Sequence, residues 1–415
     1  MFLGCIADDF TGATDLGALM AREGLRVSLH VGVPQSPPTE VADAMIIALK
    51  SRNIAADEAV SQSLGAASFL RNQMRAESIY FKYCSTFDST DKGNIGPVLD
   101  ALMAELDVSR TIASPGFPEN GRRLFMGHLF VQDRLLSESS LARHPLTPMT
   151  DPDIVRVLGR QRTGPVGLIS KLAIDSGADA VRQTFEEAAS GSVLICDVLQ
   201  TPDLDVVAAA LPKLRLYSGG SAMGGALARL QNSQGLEQGG QAAADPATLR
   251  PIIFSGSGSD MTQSQVRHAL AGNVDAVQIK AVDIVDPAIS AREVLARIGK
   301  NGAVPMIYAT AYPGDVAEAQ AALGVTESGE RIEAFFEALA SAARADGFNA
   351  FVVAGGETSG SAVRGLGIDH MQIGAEVAPG VPWMQADGVW AILKSGNFGT
   401  ESFFFDALEK LGIGQ

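Results

Sequence analysis

Short apolar runs alternate along this chain with stretches whose apolar positions recur at helical spacing, and the alternation predicts strands and helices in turn. Phe2–Ala7 predicts a first strand, Asp15–Glu23 a helix and Arg26–Val33 a second strand. Ala44–Leu49 and Ser78–Tyr83 continue the strands, with helices over Ala55–Met74 and Ile95–Leu106. After Thr111–Ser114 the pattern is irregular to about Thr150 and rich in Pro, Gly and Arg. It resumes with strands at Val166–Ile169, Val193–Asp197 and Arg215–Ser218 and a helix over Ala178–Ala189. Beyond Asp245, the runs Ile252–Phe254, Ala276–Lys280, Val304–Tyr308, Ala350–Val353 and Val389–Leu393 predict strands, with helices near Gln263–Ala271, Ala291–Ile298 and Ile332–Ala345. Strands separated by helices are the signature of mostly parallel sheets.

Between Gln231 and Asp245 the chain reads QNSQGLEQGGQAAAD, polar and small, with no apolar face. That composition suits a linker. The expected organisation is therefore two α/β domains, residues 1–235 and 249–415, joined by residues 236–248.

Composition narrows the function classes. Of 415 residues, 46% are apolar and 19% charged, the profile of a folded protein with a large core. A formal net charge of -15 repels nucleic acid and anionic lipid, so neither a polynucleotide nor a membrane is an expected partner. Cys5, Cys84 and Cys196 lie far apart with no CxxC pair, and the five histidines show no HxxxH or HxH spacing, so disulfide and His-based metal sites are disfavoured. No signal segment or membrane span is evident, and the expected compartment is the cytoplasm.

Three loops at predicted strand ends suit phosphate. Ser255-Gly256-Ser257-Gly258-Ser259 joins an apolar run to a helix opening with Asp260 and Thr262. Small residues there admit an anion to backbone N–H groups at a helix N-terminus. Taken alone it reads equally well as a tight turn, and it is neither a dinucleotide fingerprint nor a Walker loop. Gly355-Gly356-Glu357-Thr358 and Lys394-Ser395-Gly396-Asn397-Phe398-Gly399 follow two further strands, with Lys394 placed to neutralise phosphate. Open α/β sheets bind ligands outside the carboxyl ends of their strands, and three such loops in one domain point to a nucleotide.

The first half supplies acids and cations. Asp8 and Asp9 stand at the end of the first strand, where a metal or a hydroxyl proton would be handled. The alternative is an N-cap beside a solvated acid. Lys82 to Thr90 holds a cation, Asp88 and the hydroxyls of Ser85, Thr86, Ser89 and Thr90, a set suited to a small polyhydroxylated acid. Arg122 and Arg123 add guanidinium groups that grip carboxylates, and His128 follows them.

Over essentially its whole length the sequence resembles the four-carbon acid sugar kinases, through Ile6-Ala7-Asp8-Asp9-Phe10-Thr11-Gly12-Ala13, Lys82 with Asp88-Ser89-Thr90, Gly355-Gly356-Glu357-Thr358 and Ser395-Gly396-Asn397-Phe398-Gly399. Tyr80–Thr90, Gly93–Pro97, Gly127–Val131 and His144–Asp151 look most like the 3-oxo-tetronate 4-kinase branch. Two departures from the family pattern are Gly258 and Ala222-Met223. The resemblance implies an N-terminal domain for the acid sugar, a C-terminal domain for ATP and an active-site cleft between them. It makes Ser257 or Ser259, Gly355 to Thr358, Gly396, Asn397 and Gly399 ATP contacts, with magnesium expected on the phosphates. Asp9 or Asp88 would accept the hydroxyl proton, while Asp8, Lys82, Ser89, Thr90 and Arg122 would hold the acid. The implied reaction gives 3-oxo-tetronate 4-phosphate and ADP. A threonate or erythronate kinase and a non-catalytic nucleotide or sugar-acid sensor remain alternatives, and the sequence leaves room for a homo-oligomer.

Overall fold

The strand-forming runs of the N-terminal half are apolar at consecutive positions, the pattern of strands covered on both faces. The computed structural model describes residues 2–38, 42–143, 147–233, 245–284, 286–298, 302–309, 323–394 and 396–413. Packing divides the chain into two compact units, Met1–Gly239 and Gly240–Gln415. Most of the linker expected at 236–248 lies outside the described residues, as do His144, Pro145, Leu146 and Ser395.

In the first unit the strands are β1 (Leu3–Ala7), β2 (Val27–Val31), β3 (Ala44–Ala48), β4 (Ser78–Lys82) and β5 (Arg110–Ser114), then the short β6 (Arg122–Phe125), β7 (His128–Val131) and β8 (Arg134–Leu135), then β9 (Val166–Ile169), β10 (Ser192–Cys196) and β11 (Leu216–Gly219). The main sheet runs β2-β3-β1-β4-β11-β5-β10-β9, parallel throughout. β1, β3, β4 and β10 are buried along their whole length, and Ile6, Ile47, Phe81 and Ile195 join one apolar core with the covering helices. This order puts the ends of β3, β1 and β4 side by side.

The irregular stretch before Thr150 is a three-stranded antiparallel sheet, β6-β7-β8. Its first turn, Met126-Gly127, has both φ values positive, at 53° and 75°, as a two-residue hairpin turn demands. The buried Asp197 carboxylate fixes that turn by accepting the N–H groups of Met126 and Gly127 at 3.0 and 2.9 Å. The first helix is Phe10–Arg22, starting before the predicted Asp15 because the Asp9 side chain caps it.

In the second unit the strands are β12 (Pro251–Ser255), β13 (Val274–Gln278), β14 (Val304–Tyr308), β15 (Ala350–Ala354), β16 (His370–Ala378), β17 (Val381–Ala386) and β18 (Val389–Lys394). Five are parallel in the order β13-β14-β12-β15-β18, and β17 and β16 continue the sheet antiparallel. The sequence reading lacks β16 and β17. Their local signal is Asp387-Gly388 between β17 and β18, with φ of 47° and 76°, again a hairpin turn. The predicted strand Ala276–Lys280 sits earlier, at Val274–Gln278, paired with β14.

Candidate functional site

Asp8 and Asp9 leave the carboxyl end of β1. Asp9 Oδ1 accepts the Gly12 N–H at 2.8 Å, which caps the helix Phe10–Arg22. Asp8 is buried and meets Arg52 bidentately, Nε to Oδ2 at 2.9 Å and Nη2 to Oδ1 at 2.8 Å. The same Nη2 lies 2.8 Å from Asp9 Oδ1. Burial pushes the Asp8 carboxyl up, and the guanidinium opposes it through charge and hydrogen bonds. Burial also works against the Arg52 charge, but the two carboxylates outweigh it and hold the guanidinium well above its ordinary value. The two-pronged contact is that of an ion pair.

Sequence reasoning missed Arg52. Its loop leaves the end of β3 and is held where the carboxylates need it: Ser51 and Arg52 donate N–H bonds of 2.9 and 3.1 Å to the Asp8 carbonyl, and the Asn94 side chain donates to the Ser51 carbonyl at 2.7 Å. The available signal was a polar Lys50-Ser51-Arg52-Asn53 directly after a fully apolar strand. Arg52→Gln leaves a buried carboxylate short of its partner, and thermal unfolding should show a loss of about 2–4 kcal/mol. Adding Asp8→Asn should recover part of that loss; strictly additive losses would deny the pair.

Lys82, the last residue of β4, is 3% exposed and donates from Nζ to the Tyr83 carbonyl at 2.8 Å. A Cβ on Gly12 would lie 2.5 Å from Asp9 Oδ1 and 2.9 Å from Lys82 Nζ, so only glycine lets the helix N-terminus approach both groups. Asp88 reaches the same neighbourhood through a tight turn in which the buried Phe87 takes a left-handed φ of 52°. Asp88 Oδ1 accepts from Thr86 Oγ1 at 2.6 Å, and Thr86 Oγ1 lies 2.9 Å from Cys84 Sγ. Burial, then the Asp88 charge, push the Cys84 thiol up to about 11, with Arg52 and Lys82 opposing, so this thiol stays protonated. Asp8, Asp9, Arg52, Lys82 and Asp88 thus form one charged cluster beyond the carboxyl ends of β3, β1 and β4.

Ser89, Thr90 and Arg122 have hydrogen bonds of their own. Gln161 Nε2 donates to Ser89 Oγ at 2.9 Å and to the Thr90 carbonyl at 2.6 Å, while its Oε1 accepts the Gly96 N–H at 2.9 Å. Those bonds seat the start of the helix Ile95–Glu105. Arg122 donates to the Asn120 carbonyl within its own turn, and its Nε is buried with no partner among the described residues. His128, the first residue of β7, is half-buried, with Nδ1 2.8 Å from the Met126 carbonyl oxygen. The segment from Gly219 to Gly225 is a packing device: a Cβ at Gly219 would lie 2.3 Å from the Ser114 carbonyl oxygen and one at Gly224 2.3 Å from Leu16.

In the second unit the three glycine loops leave the adjacent strands β12, β15 and β18. Ser259 Oγ caps the helix Asp260–Ala271 by accepting the Thr262 N–H at 3.3 Å, and Ser259 N–H donates to Ser257 Oγ at 3.2 Å. Thr262 Oγ1 donates to the Gly396 carbonyl at 2.8 Å, which ties the first loop to the third. A Cβ on Gly396 would fall 2.6 Å from Ser257 Oγ and 2.8 Å from Ser259 Oγ. Gly355, at φ 126°, donates its N–H to the Lys394 carbonyl at 2.9 Å and starts the helix Gly356–Leu366 with no side-chain cap. Gly356 and Glu357 are exposed in that first turn, Thr358 is buried, and Asn397 is exposed on the third loop. The Ser359 hydroxyl is buried beside them with no partner among the described residues. Two helix N-termini with open N–H groups and small residues between them make a cradle for phosphate. Lys394 is 1% exposed and turned inward beneath the loops.

Residues 3–227 match a sugar-binding N-terminal domain and residues 252–404 a nucleotide-binding C-terminal domain. The chain belongs to the four-carbon acid sugar kinase family. Among its relatives in this family is the 3-oxo-tetronate kinase of Cupriavidus necator, 45% identical over 99% of this chain and 97% of that one. The 3-oxo-tetronate kinase of Salmonella typhimurium is 40% identical over 99% of both chains. Of solved structures, a Haemophilus influenzae protein at 37% identity has a TM-score of 0.83 and covers 98% of this chain and 100% of that one. A Salmonella typhimurium LT2 protein described as a tRNA synthase has a TM-score of 0.89 at 38% identity, over 98% of this chain and 99% of that one. Among the described residues no helix is long and apolar enough to cross a membrane.

Proposed function

We propose that the protein is an ATP-dependent kinase that phosphorylates the 4-hydroxyl of 3-oxo-tetronate, giving 3-oxo-tetronate 4-phosphate and ADP. The observation that carries this reading is full-length identity of 40–45% to relatives named 3-oxo-tetronate kinase. A phosphate cradle on one unit and a charged acid-and-cation cluster on the other supply the parts such a reaction needs.

Phosphoryl transfer asks for positioning and charge neutralisation more than covalent help. The 4-hydroxyl oxygen forms a bond to the terminal phosphorus of ATP, the bond from that phosphorus to the bridging oxygen breaks, and ADP leaves. The hydroxyl proton passes to a carboxylate. Both acids pair with Arg52, but the Asp8 side chain is held from two sides by the guanidinium and is 6% exposed, whereas that of Asp9 is 28% exposed, which favours Asp9 over Asp8 as the acceptor. Asp88, at the turn beside Cys84, is the other candidate. The N–H groups of Ser257, Gly258 and Gly356–Thr358 hold the phosphates, with Ser259 and Gly355 shaping the two loops and Gly396, Asn397 and Gly399 closing the third side. Magnesium needs only one or two protein carboxylates besides phosphate oxygens and water, and Glu357 offers one at the right helix end. When bound, the ion neutralises phosphate charge.

Lys82 is the cation expected to meet the substrate carboxylate. Lys82→Met should raise the sugar acid's KM by about 10–100-fold, the worth of a charged hydrogen bond of ~1.5–3 kcal/mol, and leave the KM of ATP unchanged. The reading as a whole is tested by ADP release with a panel of four-carbon acids. Turnover fastest with 3-oxo-tetronate supports it. A preference for threonate or erythronate moves the assignment to a sister kinase, and nucleotide binding with no acid-stimulated release makes the protein a sensor.

A further inference from the structure

Beneath the nucleotide cradle lies a buried cation, Lys394. Its Nζ donates to Thr262 Oγ1 at 2.9 Å and to the Gly396 carbonyl at 3.0 Å, and it sits 5.9 Å from the centre of the Phe403 ring. Thr262 belongs to the helix that follows the Ser257–Ser259 loop, and Gly396 belongs to the third loop. The amine therefore braces two phosphate loops from below. We propose that Lys394 is the positioning residue of the nucleotide site, and that its amine takes up a proton from solvent as phosphate settles on the loops it braces. The proposal rests on the nucleotide-binding reading above.

The physical reason is desolvation set against an incoming anion. Burial pushes the Lys394 ammonium down to about 7 in the nucleotide-free protein, so part of the population is neutral at physiological pH. The neighbouring strands β12, β15 and β17 carry no charged side chain. The helix Asp260–Ala271 carries Asp260, Arg267 and His268, the helix Gly356–Leu366 carries Glu357 and Arg364, and the helix Phe403–Lys410 carries Asp406, Glu409 and Lys410. Asp260 and Glu357 are solvent-exposed, and Asp406 accepts hydrogen bonds from Thr400 and Ser402 at 2.9 and 2.8 Å. A phosphate held on the loops adds negative charge in a poorly solvated place, which favours the protonated amine. The proton goes on when nucleotide binds and comes off when it leaves.

Calorimetric titration of the full chain with ADP at pH 8, in buffers of different ionisation enthalpy, reads the proton directly. At that pH the free amine is mostly neutral, so the wild type should take up roughly 0.5–1 proton per nucleotide more than either Lys394→Met or Lys394→Arg. Arginine keeps its charge at every accessible pH, so Lys394→Arg should bind ADP within a few-fold of wild type while losing the uptake. Lys394→Met should bind about 10–100-fold more weakly. Binding by the wild type with the same proton count as the arginine variant overturns the proposal and leaves the kinase reading intact. An absence of any ADP binding overturns both.

Discussion

Asp9→Asn should lower kcat by roughly 10²–10⁴-fold and leave both KM values within a few-fold, the loss expected when a positioned proton acceptor is replaced by an amide. The structure makes this a clean test. Asp9 caps the helix Phe10–Arg22 through Gly12, and asparagine caps about as well as aspartate, so the fold has little reason to move. The amide oxygen can also keep a hydrogen bond to Arg52 in place of the 2.8 Å ion pair. Asp88→Asn is the companion measurement, because Asp88 also retains its bond from Thr86 with an amide oxygen. A single acceptor requires one variant to lose kcat and the other to keep it. Near-normal kcat in both, with raised KM values, would mean that neither acid takes the proton.

Gly396→Ala should raise the KM of ATP by about 10–100-fold while the sugar acid's KM changes little and the melting temperature falls by less than in Gly399→Ala. A methyl group there would point into the space between the Ser257 and Ser259 hydroxyls, 2.6 and 2.8 Å away. Ser259, whose Cβ would lie 3.0 Å away and whose hydroxyl caps the helix Asp260–Ala271, has to give by a few tenths of an ångström, so some stability is lost along with the space where phosphate must approach the backbone. Gly399→Ala is the contrasting case. Gly399 has a φ of 81°, and its Cβ would strike the Phe403 ring at 2.6 Å, so that substitution should lower the melting temperature by several degrees. If Gly396→Ala behaves like Gly399→Ala, the third loop is a structural brace rather than a phosphate contact.

The sequence determined the parts of this protein that depend on local pattern. Consecutive apolar positions in β1, β3 and β4 marked strands buried on both faces, and the helical spacing between them implied parallel pairing. Small residues after β12, β15 and β18 marked the phosphate loops, because a backbone that must approach an anion leaves no room for side chains. Asp8-Asp9 was visible because acids directly after an apolar strand stand at its carboxyl end, where open α/β sheets place their ligands. Tertiary structure alone decided which of these ends became neighbours. The order β3-β1-β4 places Arg52 on Asp8 across 44 residues of sequence, and no local pattern encodes that approach. The same holds for Lys394, whose place at a strand end marked a cation for phosphate but not the packing that turns it onto Thr262 and Gly396. Ser89 lies close in sequence to Lys82, yet its hydroxyl accepts a hydrogen bond from Gln161, which arrives from 72 residues away. Spacing along the chain fixes which residue types are available at a strand end; the desolvation and pairing that give each one its charge and its partner arise only when the strands are side by side.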